Sequence, residues 1–175
     1  MPIILTGFGP FGSVSENPSS LNLEELRKKN LHRFEIHTHI PVSVKAVDAW
    51  IDRHANSGKI YVHFGVNQRA KSIQIEHRAF NEMLFQIPDV DGFTTNGQTI
   101  SPGEAEFLLT RLSPLVPYSD NLESSDDAGR YICNYIYYRS LQRTNGRSLF
   151  IHVPPYSVIP QGDQLEIIQR ILDSL

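Results

Sequence analysis

Cysteine is nearly absent from this sequence: Cys133 is the only one in 175 residues. One thiol cannot close a disulfide within the chain, and such usage fits a reducing compartment, so a cytoplasmic location is expected. Basic residues are also few. Sixteen Lys and Arg against nineteen Asp and Glu give a net charge of -3, with no basic run, so nucleic acid is not an expected partner. No apolar run approaches the roughly 20 residues that span a bilayer. The start, Met1-Pro2-Ile3-Ile4-Leu5, lacks the basic region and long apolar stretch of a signal peptide. No repeat or low-complexity segment is present. No group of His, Cys and carboxylates stands at metal-ligand spacing, so no metal or other cofactor is expected.

The length suits a single domain, residues 1–175. Apolar residues make up 40% of it, enough for a substantial core. Ile3–Thr6 reads as a short buried strand running into a Gly- and Pro-rich loop, Gly7 to Gly12. Asn17 or Ser19 is a plausible cap for a helix over 19–30, with Leu21, Leu23, Leu26 and Leu31 as its apolar positions. Phe34–Ile40 alternates as a strand, Val44–Ala55 is a helix, and Lys59–Gly65 is a strand. Ile73 to Ala79 alternates again, and Glu76 points away from Ile75. Residues 86–102 form a long irregular connection with room for a small hairpin. A helix is expected over Gly103–Leu112, a weak strand over Val116–Leu122, and a helix over Ala128–Arg143. Ser148–Val153 is a strong strand stopped by Pro154-Pro155, and Gly162–Leu175 is a closing amphipathic helix. This alternation predicts an α/β fold: an open, mainly parallel sheet with helices on both faces, an α/β/α sandwich. Sites in such sheets gather at the carboxyl ends of strands.

The lone thiol follows Asp126-Asp127, either of which can cap the expected helix and leave Cys133 in about its second turn. The positive end of the helix dipole favours a thiolate. A lone cysteine is also an ordinary buried apolar residue. A reactive thiol needs a base. His152, at the end of a strong strand, is the best of seven histidines, and His63 is its rival. His32, His37, His39 and His54 read as surface residues. Glu76 is a candidate to orient the imidazole. Spacing alone does not bring these three groups together. Gly7-Phe8-Gly9-Pro10-Phe11-Gly12 lacks the third glycine of a dinucleotide fingerprint.

Several blocks resemble the pyroglutamyl peptidase I family of cysteine peptidases, nearly end to end. They are Leu5 to Gly12 with Asn17-Pro18, then His63-Phe64-Gly65, Ile75-Glu76 with Asn81, Asp127 to Asn134, and Gly146 through Pro155. Their wording is closer to the animal enzymes than to the bacterial ones. The resemblance implies hydrolysis of the bond after an N-terminal pyroglutamyl residue, and a catalytic triad of Glu76, Cys133 and His152. It implies that Phe8 and Phe11 sandwich the lactam ring, that Asn17 supports their loop, and that Val66, Ile87 and Tyr131 line the rest. The Cys133 N–H is the implied oxyanion donor. At position 86 bacterial members carry an arginine; Gln86 here keeps a neutral donor. Where they carry a glycine pair, this chain has Gln68-Arg69. The implied partner is a peptide with N-terminal pyroglutamate, and a homo-oligomer is left open, since bacterial relatives can be tetrameric. The alternative is an inactive homologue that binds pyroglutamyl peptides without cleaving them. A phosphorylase-like enzyme of similar architecture lacks support, because no anion-binding glycine loop is present.

Overall fold

The computed structural model describes residues 1–29 and 33–175; Leu31 and His32 lie outside the described residues. In chain order the elements are β1 (Ile3–Phe8), α1 (Pro18–Lys28), β2 (Phe34–Ile40), α2 (Val44–His54), β3 (Ile60–Val66), β4 (Ile73–Glu76) and β5 (Arg78–Phe80). There follow β6 (Met83–Leu84), β7 (Asn96–Gln98), β8 (Phe107–Leu109), β9 (Leu122–Ser125), α3 (Ile132–Thr144), β10 (Ser148–Val153) and α4 (Gln161–Asp173).

Six strands form the central sheet in the order β2-β1-β3-β10-β4-β9. β2, β1, β3 and β10 run parallel; β4 pairs antiparallel with β10, and β9 parallel with β4. Alternation along the buried strands sorts side chains onto two faces. Ile4, Tyr61 and Phe150 face α2 and α3, with Trp50, Ile136 and Tyr137. Leu5, Val62, Leu149 and Ile151 face α1 and α4, with Leu23, Ile168 and Ile171. Both faces are covered, so the α/β sandwich read from the sequence is the architecture. Each fully buried side chain of this size stabilises the fold by about 1.5–3 kcal/mol before entropy is counted.

Local signals end most elements where expected. Asn17 caps α1 by accepting from Ser19 N–H at 3.1 Å, with Pro18 at the first helical position. Ser43 caps α2. Asn145, at φ 54°, closes α3, and Pro154 follows β10.

Three expectations are corrected. The helix expected over Gly103–Leu112 is absent, and Phe107–Leu109 pairs antiparallel with Arg78–Phe80 as β8. A ten-residue helix between Pro102 and Pro114 is marginal alone, and here tertiary partners take its backbone groups. Asn81 donates from its side chain to the Ser101 carbonyl and from its backbone to the Glu106 carbonyl, and the Tyr138 hydroxyl donates to Ala105. The strand near Val116–Leu122 begins only at Leu122, where β4 supplies a partner (Ile73 opposite Leu122) beyond the reach of Pro117. The helix expected from Ala128 begins at Ile132, because Gly129 holds φ +79°, outside the right-handed helical region.

Candidate active site

Three elements deliver Cys133, His152 and Glu76 to one point, and strand register does most of it. On β10, His152 lies opposite Gly65 of β3. On the other side β10 pairs with β4, with Phe150 opposite Glu76. Glu76 is therefore the diagonal, same-face neighbour of His152, within reach of a long side chain. Glu76 Oε1 lies 2.7 Å from His152 Nδ1. Glu76 is fully buried, so it is not the solvated strand residue that glutamates usually are, and its second oxygen has no partner among the described residues.

Cys133 enters from above. It is the second residue of α3, nearer the helix start than the sequence indicated, and Tyr131 rather than an aspartate stands at the N-cap. No side chain caps this helix. The Cys133 N–H has no hydrogen-bond partner among the described residues, as the first turn of a helix dictates. The Cys133 sulfur sits over Gly65. A Cβ at Gly65 would lie 2.7 Å from Sγ and 2.7 Å from Phe150 Cζ, so only glycine admits the thiol here. The neighbouring strand, about 4.8 Å away, carries His152 at that same level.

The electrostatics follow from this packing. Burial acts to lower the pKa of His152. The Cys133 sulfur, by hydrogen bonding and by the charge of its thiolate form, and Glu76, by hydrogen bonding and charge, outweigh it and push the ring up to about 10. Nδ1 carries its proton toward Glu76. Of the acidic pair beside the thiol, Asp127 is engaged elsewhere. Asp127 accepts from Gly129 N–H and from Arg130 at 2.7 Å, and Arg130 also meets Glu82 at 3.0 Å.

A cavity of about 460 Å³ opens beside the thiol, lined among others by Phe8, Phe11, Asn17, Val66, Tyr131, Cys133 and His152. The Asn17 amide donates to the Gly9 carbonyl at 2.9 Å, and Ser19 Oγ accepts from Phe8 N–H, so the start of α1 clasps the Phe8–Phe11 loop. Phe11 and Tyr131 rings lie 6.2 Å apart, and Phe85 braces Tyr131 edge-on at 4.8 Å. Burial, with Asp89 and Cys133 nearby, pushes the Tyr131 phenol up to about 12, and its hydroxyl donates to the Pro88 carbonyl. Gln86 and Ile87 are exposed and line an adjoining cleft rather than this cavity.

The profile of the pyroglutamyl peptidase family matches residues 1–166. This chain belongs to the pyroglutamyl peptidase family. It is 29% identical to human pyroglutamyl-peptidase 1 over 99% of its own length and 90% of that relative. It is 30% identical to pyrrolidone-carboxylate peptidase 1 of Saccharolobus solfataricus over 100% of its length and 89% of the relative. The crystal structure of pyrrolidone carboxyl peptidase from Thermus thermophilus superposes with a TM-score of 0.81 at 25% identity, covering 99% of this chain and 100% of that one.

Other histidines of this pyroglutamyl peptidase family member do different work. His63, the rival base, is buried in mid-sheet and hydrogen-bonded to Thr6 Oγ1 at 2.7 Å. Burial pushes it down to about 3, so it is a neutral core residue. His37 and His54 are half-buried against Trp50, not free surface residues. With Glu35 they set three potential metal-ligand atoms within 4.8 Å of one another. The Trp50 indole N–H, which only donates, meets His37 Nδ1 at 3.2 Å. A neutral His37 then carries its proton on Nε2, facing Glu35 at 2.9 Å. That ring offers the cluster an N–H, not a lone pair, so the cluster is a hydrogen-bonded network.

Two contributions escaped the sequence reading. Val42, just after β2, lines the cavity; its signal was its place at the carboxyl edge of a parallel strand. Asn134 accepts from Phe80 N–H and donates to the Phe80 and Glu82 carbonyls, locking the β5–β6 segment to α3. It stood beside Cys133 in a matching block, with no local pattern to state its task.

Proposed function

We propose that this protein is a cysteine-type omega peptidase that hydrolyses the bond after an N-terminal pyroglutamyl residue, with all 175 residues forming one peptidase domain. One observation carries the reading. Cys133 stands at an uncapped helix start over Gly65, level with a His152 that Glu76 holds at 2.7 Å, beside an aromatic-walled cavity.

The mechanism follows from these groups. The Cys133 proton passes to His152, leaving a thiolate beside an imidazolium. The sulfur attacks the pyroglutamyl carbonyl, and the C–N bond breaks as His152 protonates the departing amine. This leaves a thioester on Cys133. Neutral His152 then takes a proton from water, the hydroxide adds to the thioester, and pyroglutamate leaves as the sulfur regains its proton from His152. The free N–H of Cys133 receives the oxyanion, a contact worth about 3–4 kcal/mol in comparable sites. Glu76 holds the ring and balances its charge. The lactam carries no ammonium, so its pocket needs apolar walls with a few hydrogen bonds and no carboxylate. Phe8, Phe11, Val66 and Tyr131 supply such walls, Asn17 steadies the loop, and Gln86 and Ile87 belong to the adjoining leaving side. The family's activity and the intact set of three groups favour turnover over binding alone. A cytoplasmic setting would keep the single thiol reduced. Among the described residues no helix is long and apolar enough to cross a membrane.

Turnover of pyroglutamyl-aminomethylcoumarin tests the reading. Wild-type protein should release the fluorophore, and the Cys133→Ala protein should not. Release by Cys133→Ala at the wild-type rate would overturn the assignment of the nucleophile.

A further inference from the structure

The cavity that holds Cys133 is not closed. Gln68, Arg69, Asp127, Gly129 and Tyr131 line both it and the adjoining cleft of about 660 Å³. The two spaces therefore adjoin, and a peptide whose first ring fills the cavity has the cleft beside it for its remaining residues. This inference rests on the hydrolytic reading above.

Charge in the cleft is unevenly spent. Its charged lining residues are Arg69, Glu82, Asp127 and Arg130. Arg130 is engaged: it donates to Glu82 and Asp127 and to the Gly129 carbonyl, and its guanidinium lies 3.7 Å over the Phe80 ring. Glu82 and Asp127 thereby share the one guanidinium of Arg130. Arg69 is exposed, and its guanidinium has no hydrogen-bond or ion-pair partner among the described residues. Its backbone, in contrast, is held. Asn67 N–H donates to the Val153 carbonyl, Asn67 Oδ1 accepts from Arg69 N–H at 3.0 Å, and the Asn67 amide donates to Gln74. A hydrogen-bonded turn at the end of β3 thus presents a guanidinium with no direct partner among the described residues at the junction of cavity and cleft.

We propose that Arg69 sets specificity on the leaving side, favouring pyroglutamyl peptides that carry a carboxylate immediately after the scissile bond. The carboxylate is either an acidic side chain at the next residue or the terminal carboxylate of a pyroglutamyl dipeptide. Arg69 is a specificity residue and takes no part in the bond-breaking steps.

The test compares kcat/KM for pGlu-Glu-amide, pGlu-Lys-amide, pGlu-Ala-amide and pGlu-Ala with a free carboxylate, in wild type, Arg69→Lys and Arg69→Glu. Ratios within one protein cancel any general loss of activity. Wild type should favour the Glu over the Lys amide by about 1.5- to five-fold at low salt, the range of one exposed charge pair, with the preference shrinking in high salt. Arg69→Lys should keep it and Arg69→Glu should reverse it. The two alanine substrates separate a terminal from a side-chain carboxylate. A Glu-to-Lys ratio and a free-acid-to-amide ratio that are both the same in Arg69→Glu as in wild type would overturn the inference. Failure of wild type to turn over any substrate, the coumarin amide included, would instead overturn the hydrolytic reading.

Discussion

His152 is buried but surrounded by groups that hold its proton. Burial lowers its pKa, while Cys133 and then Glu76 raise it to about 10. The sign is direct: the ring keeps its proton below that value and loses it as pH rises through it. The protonated ring is the one that delivers a proton to the leaving amine, so kcat/KM should fall on the alkaline side near pH 10. Glu76→Gln removes one of the two raising groups, so its alkaline limb should move down by about one to three pH units. A pH–rate profile of both proteins measures this, and superimposable alkaline limbs would remove Glu76 from its assigned role. Gly65 is the second residue that the site cannot change. In Gly65→Ala the new Cβ would meet Sγ and Phe150 Cζ at 2.7 Å. Phe150 is fully buried and has no room to retreat, so the thiol must leave its seat for the cavity. Activity should drop more than about ten-fold, with about 1–3 kcal/mol of stability lost, read by urea unfolding.

Among the elements, α1 has two tasks separable by mutation. Asn17 caps it through Oδ1 and clasps Gly9 through Nδ2. Asn17→Ala removes both and should cost about 1 kcal/mol. Asn17→Asp keeps the cap but turns a donor into an acceptor facing the Gly9 carbonyl. It should retain more stability than the alanine variant while KM rises several-fold; steady-state kinetics beside thermal melts resolve the two. Elements with strong local signals were legible beforehand. The buried run Ser148–Val153 and the capped helix at Val44 stand where periodicity put them. The misread stretch was Gly103–Leu112, rich in helix formers but owned by Asn81, Tyr138 and β5 through contacts far along the chain. The start of α3 was misread for a local reason, the positive φ of Gly129.

At the scale of the whole molecule, one sheet carries both cores and the site lies at its carboxyl edge. Trp50, the sole tryptophan, is buried on the α2 face and outside the cavity lining. Its fluorescence should report global unfolding and respond little to a substrate analogue. If the 175 residues are one cooperative domain, fluorescence and far-ultraviolet circular dichroism should give coincident urea transitions. Two separated transitions would divide the chain into independent units.

The sequence by itself determined the strands and helices with clear periodicity, the α/β class, and a short set of chemical groups: one thiol, a histidine at the end of a strand, and a glutamate turned away from its apolar neighbours. Those are properties of residues close together in the chain. Only the tertiary structure decided that the groups meet. The antiparallel register of β4 on β10 brings Glu76 to His152, and the parallel register of β3 on β10 sets Gly65 beneath the thiol. It also decided that His63 is a neutral core residue, that Cys133 sits in the first turn of α3, and that Arg69 stands at the mouth of the cavity without a direct partner among the described residues. The reason is common to all of these. Register, burial and charge compensation depend on residues tens of positions apart, and no local pattern encodes them.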